Sequence, residues 1–128
     1  MRLFPDFAIG SACIFAEARG ESYAGKIAVG EVIRNRCKAW GKSVAEIVWQ
    51  PMQFSWTNAH DPNRILTMMI DDTDAVVKDC CNAWLASETS NITEGALYYF
   101  NPALANPTWA DNKTPVAVIG HHNFYLEA

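Results

Sequence analysis

The chain has 128 residues, half of them hydrophobic and 12% aromatic, and carries a formal net charge of −4. That length suits one domain around one core, and that composition argues against disorder. The acidic balance argues against nucleic acid as the main partner, since phosphate binding needs a basic face, and no apolar run approaches the roughly 20 residues of a membrane span.

Residues 6–19 read as the first helix. Asp6 offers an N-cap, and Ile9, Cys13, Ala16 and Gly20 recur at the spacing of one helical face. Gly20 is expected to end the helix in the left-handed conformation. Ser22 then caps a second helix, from Tyr23 to about Ala39. Its stripe of Gly25, Ala28, Val29, Val32, Ile33 and Cys37 is apolar and partly very small, so a neighbouring helix can come close. Gly41 closes it, and a short helix from Ser43 to Val48 follows.

Residues 51–72 read as a long loop, punctuated by Pro51, Asn58, Asp61-Pro62-Asn63 and Asp71-Asp72. A loop of that length in a compact domain is often functional. Asp72 or Thr73 is expected to cap a further helix running to about Ala86. Beyond the polar stretch 87–95, the short runs Ala96–Phe100 and Val116–Ile119 are β-prone, and His122–Tyr125 offers a third strand. Helices come first and a small C-terminal antiparallel sheet last. The expected class is α+β, mainly helical, as a single domain over 1–128.

Neither end changes this reading. Met1–Asp6 holds one basic residue and no long apolar segment, so no secretory signal is visible. Cys13, Cys37, Cys80 and Cys81 are irregularly spaced and are expected to be reduced, small buried residues.

The chemistry begins at Glu17, which follows Ile14, Phe15 and Ala16 near a helix end. A lone glutamate is more often a solvated helix residue than a catalyst. In apolar surroundings, however, burial raises a carboxyl towards about 6, where it can act as an acid. Glycosidic cleavage needs such a group, because the leaving oxygen must be protonated as the sugar becomes oxocarbenium-like. Glu21 is the rival. On an unbroken helix the two would share a face and titrate as a pair. Arg19 could anchor Glu21 in its charged form, although two residues along a helix it points elsewhere.

The ordered segments "AEARGES", "IAVGEVIRNR", "QPMQFSW", "ALYYFNP" and "IGHHNF" extend this reading. Together they resemble the SleB-type cell-wall hydrolases, which include spore cortex-lytic enzymes and related phage endolysins. The resemblance spans about residues 8–125. It implies a lysozyme-like fold, lytic transglycosylase action on peptidoglycan and one catalytic glutamate in the "AEARGE" segment. Matched to that motif, Glu17 is the acid/base and Glu21 its rival. Such a reaction needs no second carboxylate. The acid protonates the oxygen between N-acetylmuramic acid and N-acetylglucosamine, and the muramoyl C6 hydroxyl attacks C1 to close a 1,6-anhydro ring. Water attacking instead gives simple hydrolysis.

Sugar rings stack on aromatic planes, while their hydroxyls and N-acetyl groups need amide partners. Phe54, Trp56, Tyr98, Tyr99 and Trp109 offer planes, and Gln53, Ser55 and Asn101 offer hydrogen bonds. Many such aromatics simply fill a core. Strand alternation sends Tyr98 and Phe100 one way and Leu97 and Tyr99 the other, so one tyrosine is expected to face the cleft. The family's "LYYFNP" favours Tyr98, with Asn101. Of His121 and His122, one is expected to bond near the site, and His122 joins the substrate-binding set. Asp61, Asp71 and Asp72 read as turn formers and caps. Adjacent histidines point to opposite faces and no zinc-ligand spacing exists, so neither a metal nor any other cofactor is expected. Cys80 and Cys81 lie in a helix pattern, where activating a thiol would need a basic partner. The expected partner is peptidoglycan glycan strands, with no nucleic acid, no membrane span and a monomeric state. The place of action is the bacterial cell wall, reached by a phage endolysin made in the host cytoplasm or by a domain of an exported enzyme.

Overall fold

The computed structural model describes residues 3–50, 54, 57 and 74–128, without the side chains of residues 3–5. Among the described residues the elements run α1 (Leu3–Ala18), α2 (Tyr23–Trp40), α3 (Val44–Val48), α4 (Ala75–Ala86), β1 (Tyr98–Phe100), β2 (Ala117–Ile119) and β3 (His122–Tyr125). A single 3₁₀ turn, Thr108–Ala110, precedes β2. Helices followed by a small antiparallel sheet give the α+β class that the sequence pattern predicts.

Helix α1 begins at Leu3 and not at Asp6. Pro5 lies in its first turn, where a missing N–H leaves no bond unmade, so Asp6 stands inside the helix and not at its cap. The helix ends at Ala18, whose carbonyl accepts the Glu21 N–H at 2.9 Å. Gly20 is absent from the residues with positive φ, so the left-handed stop expected there does not form. The tight turn back to Ala18 makes it unnecessary.

Helix α2 follows its signals closely. The Ser22 hydroxyl accepts the Gly25 N–H at 3.2 Å, and Gly41, at φ +63°, donates its N–H to the Cys37 carbonyl. Helix α3 carries a full capping box: Ser43 Oγ accepts from Glu46 N–H at 3.1 Å, and Glu46 Oε1 accepts from Ser43 N–H at 3.0 Å. The cap of α4 is Asp74, one or two residues beyond the expected Asp72 or Thr73. Its Oδ1 accepts from Val76 at 2.8 Å and Val77 at 3.4 Å.

Helix α2 runs between two apolar clusters and contributes to both. On one side Val29 and Ile33 pack with Cys13 and Ile14 of α1, Ile47 of α3, and Cys80 and Trp84 of α4. On the other, Ala28 and Val32 pack with Ala96 and Phe124, joined by Tyr99 and Ala117. Ion pairing ties the same helix to α4, through Lys26 Nζ and Asp79 Oδ2 at 2.7 Å.

The sheet has strand order β1-β3-β2, both pairs antiparallel. Tyr99 lies opposite Phe124, and Phe124 opposite Ala117. This register puts Tyr99, Phe124 and His122 on the face that meets α2. Tyr98, Phe100 and Tyr125 project from the other face, where Trp109 packs against all three rings.

Candidate active site

Glu17 stands in the last turn of α1, half-buried, one helical turn beyond the fully buried Cys13. Strand β1 brings Tyr99 to it from the sheet, and the phenol donates a hydrogen bond to the Glu17 carboxyl. Burial first, then the charge of Glu17 and the Cys13 thiol, hold the Tyr99 hydroxyl well above its ordinary pKa; Arg36 pulls the other way, and the hydrogen bond to Glu17 adds a smaller upward push. The phenol therefore keeps its proton at any physiological pH and acts as a fixed donor. Its ring is stacked on Phe124 and set edge-on to His122, with centroids 5.5 and 5.0 Å away, so the donor is held in place by packing.

Glu21 has a different environment. It lies in the link between α1 and α2, and both its oxygens point across to the β2–β3 turn. Oε1 accepts the backbone N–H of His121 at 3.1 Å, and Oε2 lies 2.8 Å from His121 Nδ1. Burial opposes the Glu21 charge, but the two bonds from His121 and the fields of His122 and His121 outweigh it and hold the carboxyl below its ordinary value. Arg19 Nη1 donates to the carbonyls of Phe15 and Ala16 on its own helix. The histidine that engages Glu21 is His121, whereas the sequence pattern put His122 in the expected site.

His122 sits on the buried side of the turn. Its Nδ1 is sealed from solvent without a hydrogen-bond partner, 4.0 Å from Glu21 Oε1. Burial lowers its pKa, partly offset by Glu21 and reinforced by His121. Glu17, Tyr99, His122, Glu21 and His121 thus form one continuous run of polar groups from the end of α1 to the β2–β3 turn.

The remaining expected site residues scatter. Gln53, Ser55 and Trp56 lie outside the described residues, as do His60, Asp61, Asp71 and Asp72. Phe54 is buried in the helical core with its ring beside Arg36. Tyr98 lies on the opposite sheet face from Tyr99, between Trp40 and Trp109 at centroid distances of 6.2 and 5.7 Å. Trp109 is half-buried in the same aromatic cluster. Asn101 uses its side-chain oxygen to accept the Ala103 N–H at 2.9 Å, closing the turn after β1. Among the described residues no group of three or more His, Cys, Asp or Glu is placed to hold a metal. All four cysteines are free thiols. A cleft of about 400 Å³ lies elsewhere, lined by Phe7, Arg34, Trp84 and Leu85 among others, and shares no residue with the Glu17 cluster.

Arg36 escaped the sequence reading. It is 4% exposed, and its Nε donates to the Leu97 carbonyl at 2.6 Å, just ahead of β1. The signal was present in "IRNR", but a charge on an amphipathic helix reads as a solvated face unless its partner is known.

The profile of the Cell Wall Hydrolase family matches residues 20–125. The chain belongs to the cell wall hydrolase family. The matched segment opens at Gly20, so it includes Glu21 and begins just after Glu17. A spore cortex-lytic enzyme of Bacillus subtilis is 32% identical over 121 residues, which cover 93% of this chain and 37% of that protein. A match of that breadth necessarily includes position 17. The chain spans about two fifths of the length of the curated relatives it matches. The catalytic domain of the germination-specific lytic transglycosylase SleB from Bacillus anthracis superimposes with a TM-score of 0.74 at 28% identity, over 94% of this chain and 93% of that one. The catalytic domain of the Bacillus cereus SleB protein gives a TM-score of 0.76 at 26% identity, over 94% and 88%. The fold is therefore the lysozyme-like α+β architecture of the SleB catalytic domain.

Proposed function

We propose that this domain cleaves the glycan strands of peptidoglycan at the N-acetylmuramic acid to N-acetylglucosamine bond, with Glu17 as the single acid/base. In its protonated form Glu17 gives its proton to the glycosidic oxygen. The resulting carboxylate then accepts the proton of the muramoyl C6 hydroxyl as that oxygen attacks C1, which yields a 1,6-anhydro end. The B. anthracis relative is named a lytic transglycosylase, which favours this outcome over attack by water. The place of action is the cell wall.

The observation that carries the assignment is the contrast between the two glutamates. Glu17 meets a phenol that stays protonated, so one oxygen is oriented by a neutral donor that competes for no substrate proton. Glu21 has both oxygens engaged by His121 and is held in the charged form, a poor state for an acid and a good one for an anchor. The rival reading is a non-catalytic glycan-binding module with the same fold.

Digestion of purified sacculi by the wild type, Glu17→Gln and Glu21→Gln, read by mass spectrometry, separates these. Glu17→Gln is expected to lose about 100-fold or more in turnover while still binding glycan, whereas Glu21→Gln retains measurable cleavage. Anhydro-muramoyl ends support transglycosylation and reducing ends support hydrolysis. Undiminished cleavage by Glu17→Gln removes the acid assignment, freed peptides point to amide chemistry, and intact strands with the wild type leave the binding module.

A further inference from the structure

We propose that His122 is a positioning residue with two places to stand. Neutral, its ring braces Tyr99, the donor to Glu17; protonated, it closes onto Glu21 and leaves Tyr99, so turnover fails on the acid side. This rests on the reading of Glu17 as the acid/base.

His122 is 8% exposed, and its ring is set edge-on to Tyr99 and Phe124, with centroids 5.0 and 6.2 Å away. Its Nδ1 is buried without a hydrogen-bond partner, although a buried ring nitrogen normally finds one. Glu21 Oε1 stands 4.0 Å from that nitrogen, about 1 Å beyond hydrogen-bond length. A charged acceptor therefore lies just out of reach while aromatic packing holds the ring. Among the described residues, the titratable groups that face His122 are Glu21 from the α1–α2 link, His121 from its own turn and Tyr99 from β1. Phe124 of β3, and Ala28 and Val32 of α2 in the same cluster, are apolar.

A proton changes the balance. Both ring nitrogens then donate, and Nδ1 becomes a charged donor beside an anionic acceptor. Such a bond is about twice as strong as a neutral one. Oε1 already accepts the His121 N–H at 3.1 Å and has a second lone pair for the newcomer. Closing the gap draws the ring off the edge of Tyr99. The phenol keeps its stack on Phe124 and loses the second contact that confines it.

The consequence is a pH limb that Glu17 cannot supply. A lone acid gives only an alkaline limb, because more acid leaves it protonated and ready. Burial holds His122 below its ordinary 6.5, with Glu21 opposing, so an acid limb set by this ring falls below pH 6.5.

The test follows the two rings by NMR and the rate by its pH profile. Imidazole and tyrosine-ring signals are assigned with His122→Phe and Tyr99→Phe. The Tyr99 signal should move with the His122 midpoint, and kcat/KM should fall about tenfold per pH unit below it. His122→Phe keeps a ring and loses the proton, so the acid limb is expected to move down by about one unit, whatever the rate at neutral pH. Glu21→Gln removes the attracting charge, and the His122 midpoint and the limb should drop together. Should His122→Phe fail to fold, His122→Gln carries the same test with a neutral polar side chain. A Tyr99 signal that ignores the His122 titration, or an acid limb absent or unmoved in the variants, overturns the proposal and leaves His122 as packing. A limb that coincides with loss of far-UV circular dichroism overturns it too, since unfolding then sets the limb. Full turnover by Glu17→Gln overturns the acid assignment instead. The coupled ring titration is read without turnover, which keeps the two failures distinguishable.

Discussion

Glu21 and His121, exactly 100 positions apart in the chain, are joined twice: by the His121 backbone N–H at 3.1 Å and by its Nδ1 at 2.8 Å. The bond closes the link between α1 and α2 onto the β2–β3 turn. It predicts an acid-sensitive fold, with a sign that can be worked out. Glu21 is held below the ordinary carboxyl value of 4.5, burial notwithstanding, so it contributes stability above that pH and loses it as pH falls through the lower folded-state value. His122 is held by burial below its ordinary 6.5, so the unfolded chain takes up that proton first, and stability falls as pH drops below 6.5. Both act in the same direction. Melting temperature should fall from pH 7 to pH 3.5, and Glu21→Gln should flatten the lower part of that curve while costing about 1–2 kcal/mol at neutral pH. An unchanged slope below pH 5 in the variant would show that this carboxylate does not govern acid stability.

Gly120 makes that joint possible. Its φ is +58°, and a Cβ built there would lie 2.5 Å from Glu21 Oε1. Gly120→Ala is therefore expected to destabilise by about 1–3 kcal/mol, through backbone strain and a displaced carboxylate together. Gly20 is the control. A Cβ there meets nothing within 4 Å and its φ is not positive, so Gly20→Ala should be neutral or gain up to about 1 kcal/mol. Urea midpoints for the two variants check both statements at once.

The contrast between these glycines marks what could be read from the chain. Local signals with a single physical meaning held: Ser22 and Gly41 cap where their chemistry requires, and the alternation of Tyr98 and Tyr99 puts them on opposite sheet faces. Gly20 looked like a stop because glycine permits one, but permission is not need. Asp74 took the cap expected of Asp72 or Thr73, since three adjacent residues offered nearly equal caps and tertiary packing chose the register. The candidate site was legible as a motif and opaque as a geometry. "AEARGE" marks two carboxyls, but which meets Tyr99 and which meets His121 depends on partners 80 to 100 residues away, a separation that no local periodicity encodes. Arg36 and Glu31 were invisible for the same reason.

Glu31 gives the most severe stability prediction. This carboxylate is 2% exposed and accepts four hydrogen bonds: at Oε1 from the Thr93 N–H at 2.9 Å and its hydroxyl at 2.7 Å, and at Oε2 from the Ile92 N–H at 2.9 Å and the Ser90 hydroxyl. It fastens the whole segment after α4 onto α2, just ahead of the strand that carries Tyr99. Glu31→Ala strands several buried donors and should cost about 3–5 kcal/mol. Glu31→Gln retains an acceptor but puts an amide where donors converge, and should cost somewhat less. Equilibrium denaturation measures the order. Since the segment leads into β1, hydrogen exchange at Tyr98–Phe100 should quicken in both variants before global unfolding.

Cys80 offers a test of the helical core without touching the site. It stands on α4, fully buried in the helical core, and burial chiefly pushes its thiol up to about 11, with Lys26 opposing. At pH 8 only about a thousandth of it is thiolate, and that fraction is also sealed from reagent. Thiol titration of the native protein should therefore leave Cys80 unmodified on the timescale in which half-buried Cys81 reacts, and denaturant should release it. Substitution separates polarity from volume at the same position. Cys80→Ala removes one sulfur from a packed core, whereas Cys80→Ser keeps the shape but buries a hydroxyl within the apolar cluster that also holds Ile14 and Val77. The serine variant should be the less stable of the two by about 1 kcal/mol or more, because an unpaired buried hydroxyl costs more than a small cavity. The reverse order would mean that a polar partner, and not apolar packing, holds the thiol in the native protein.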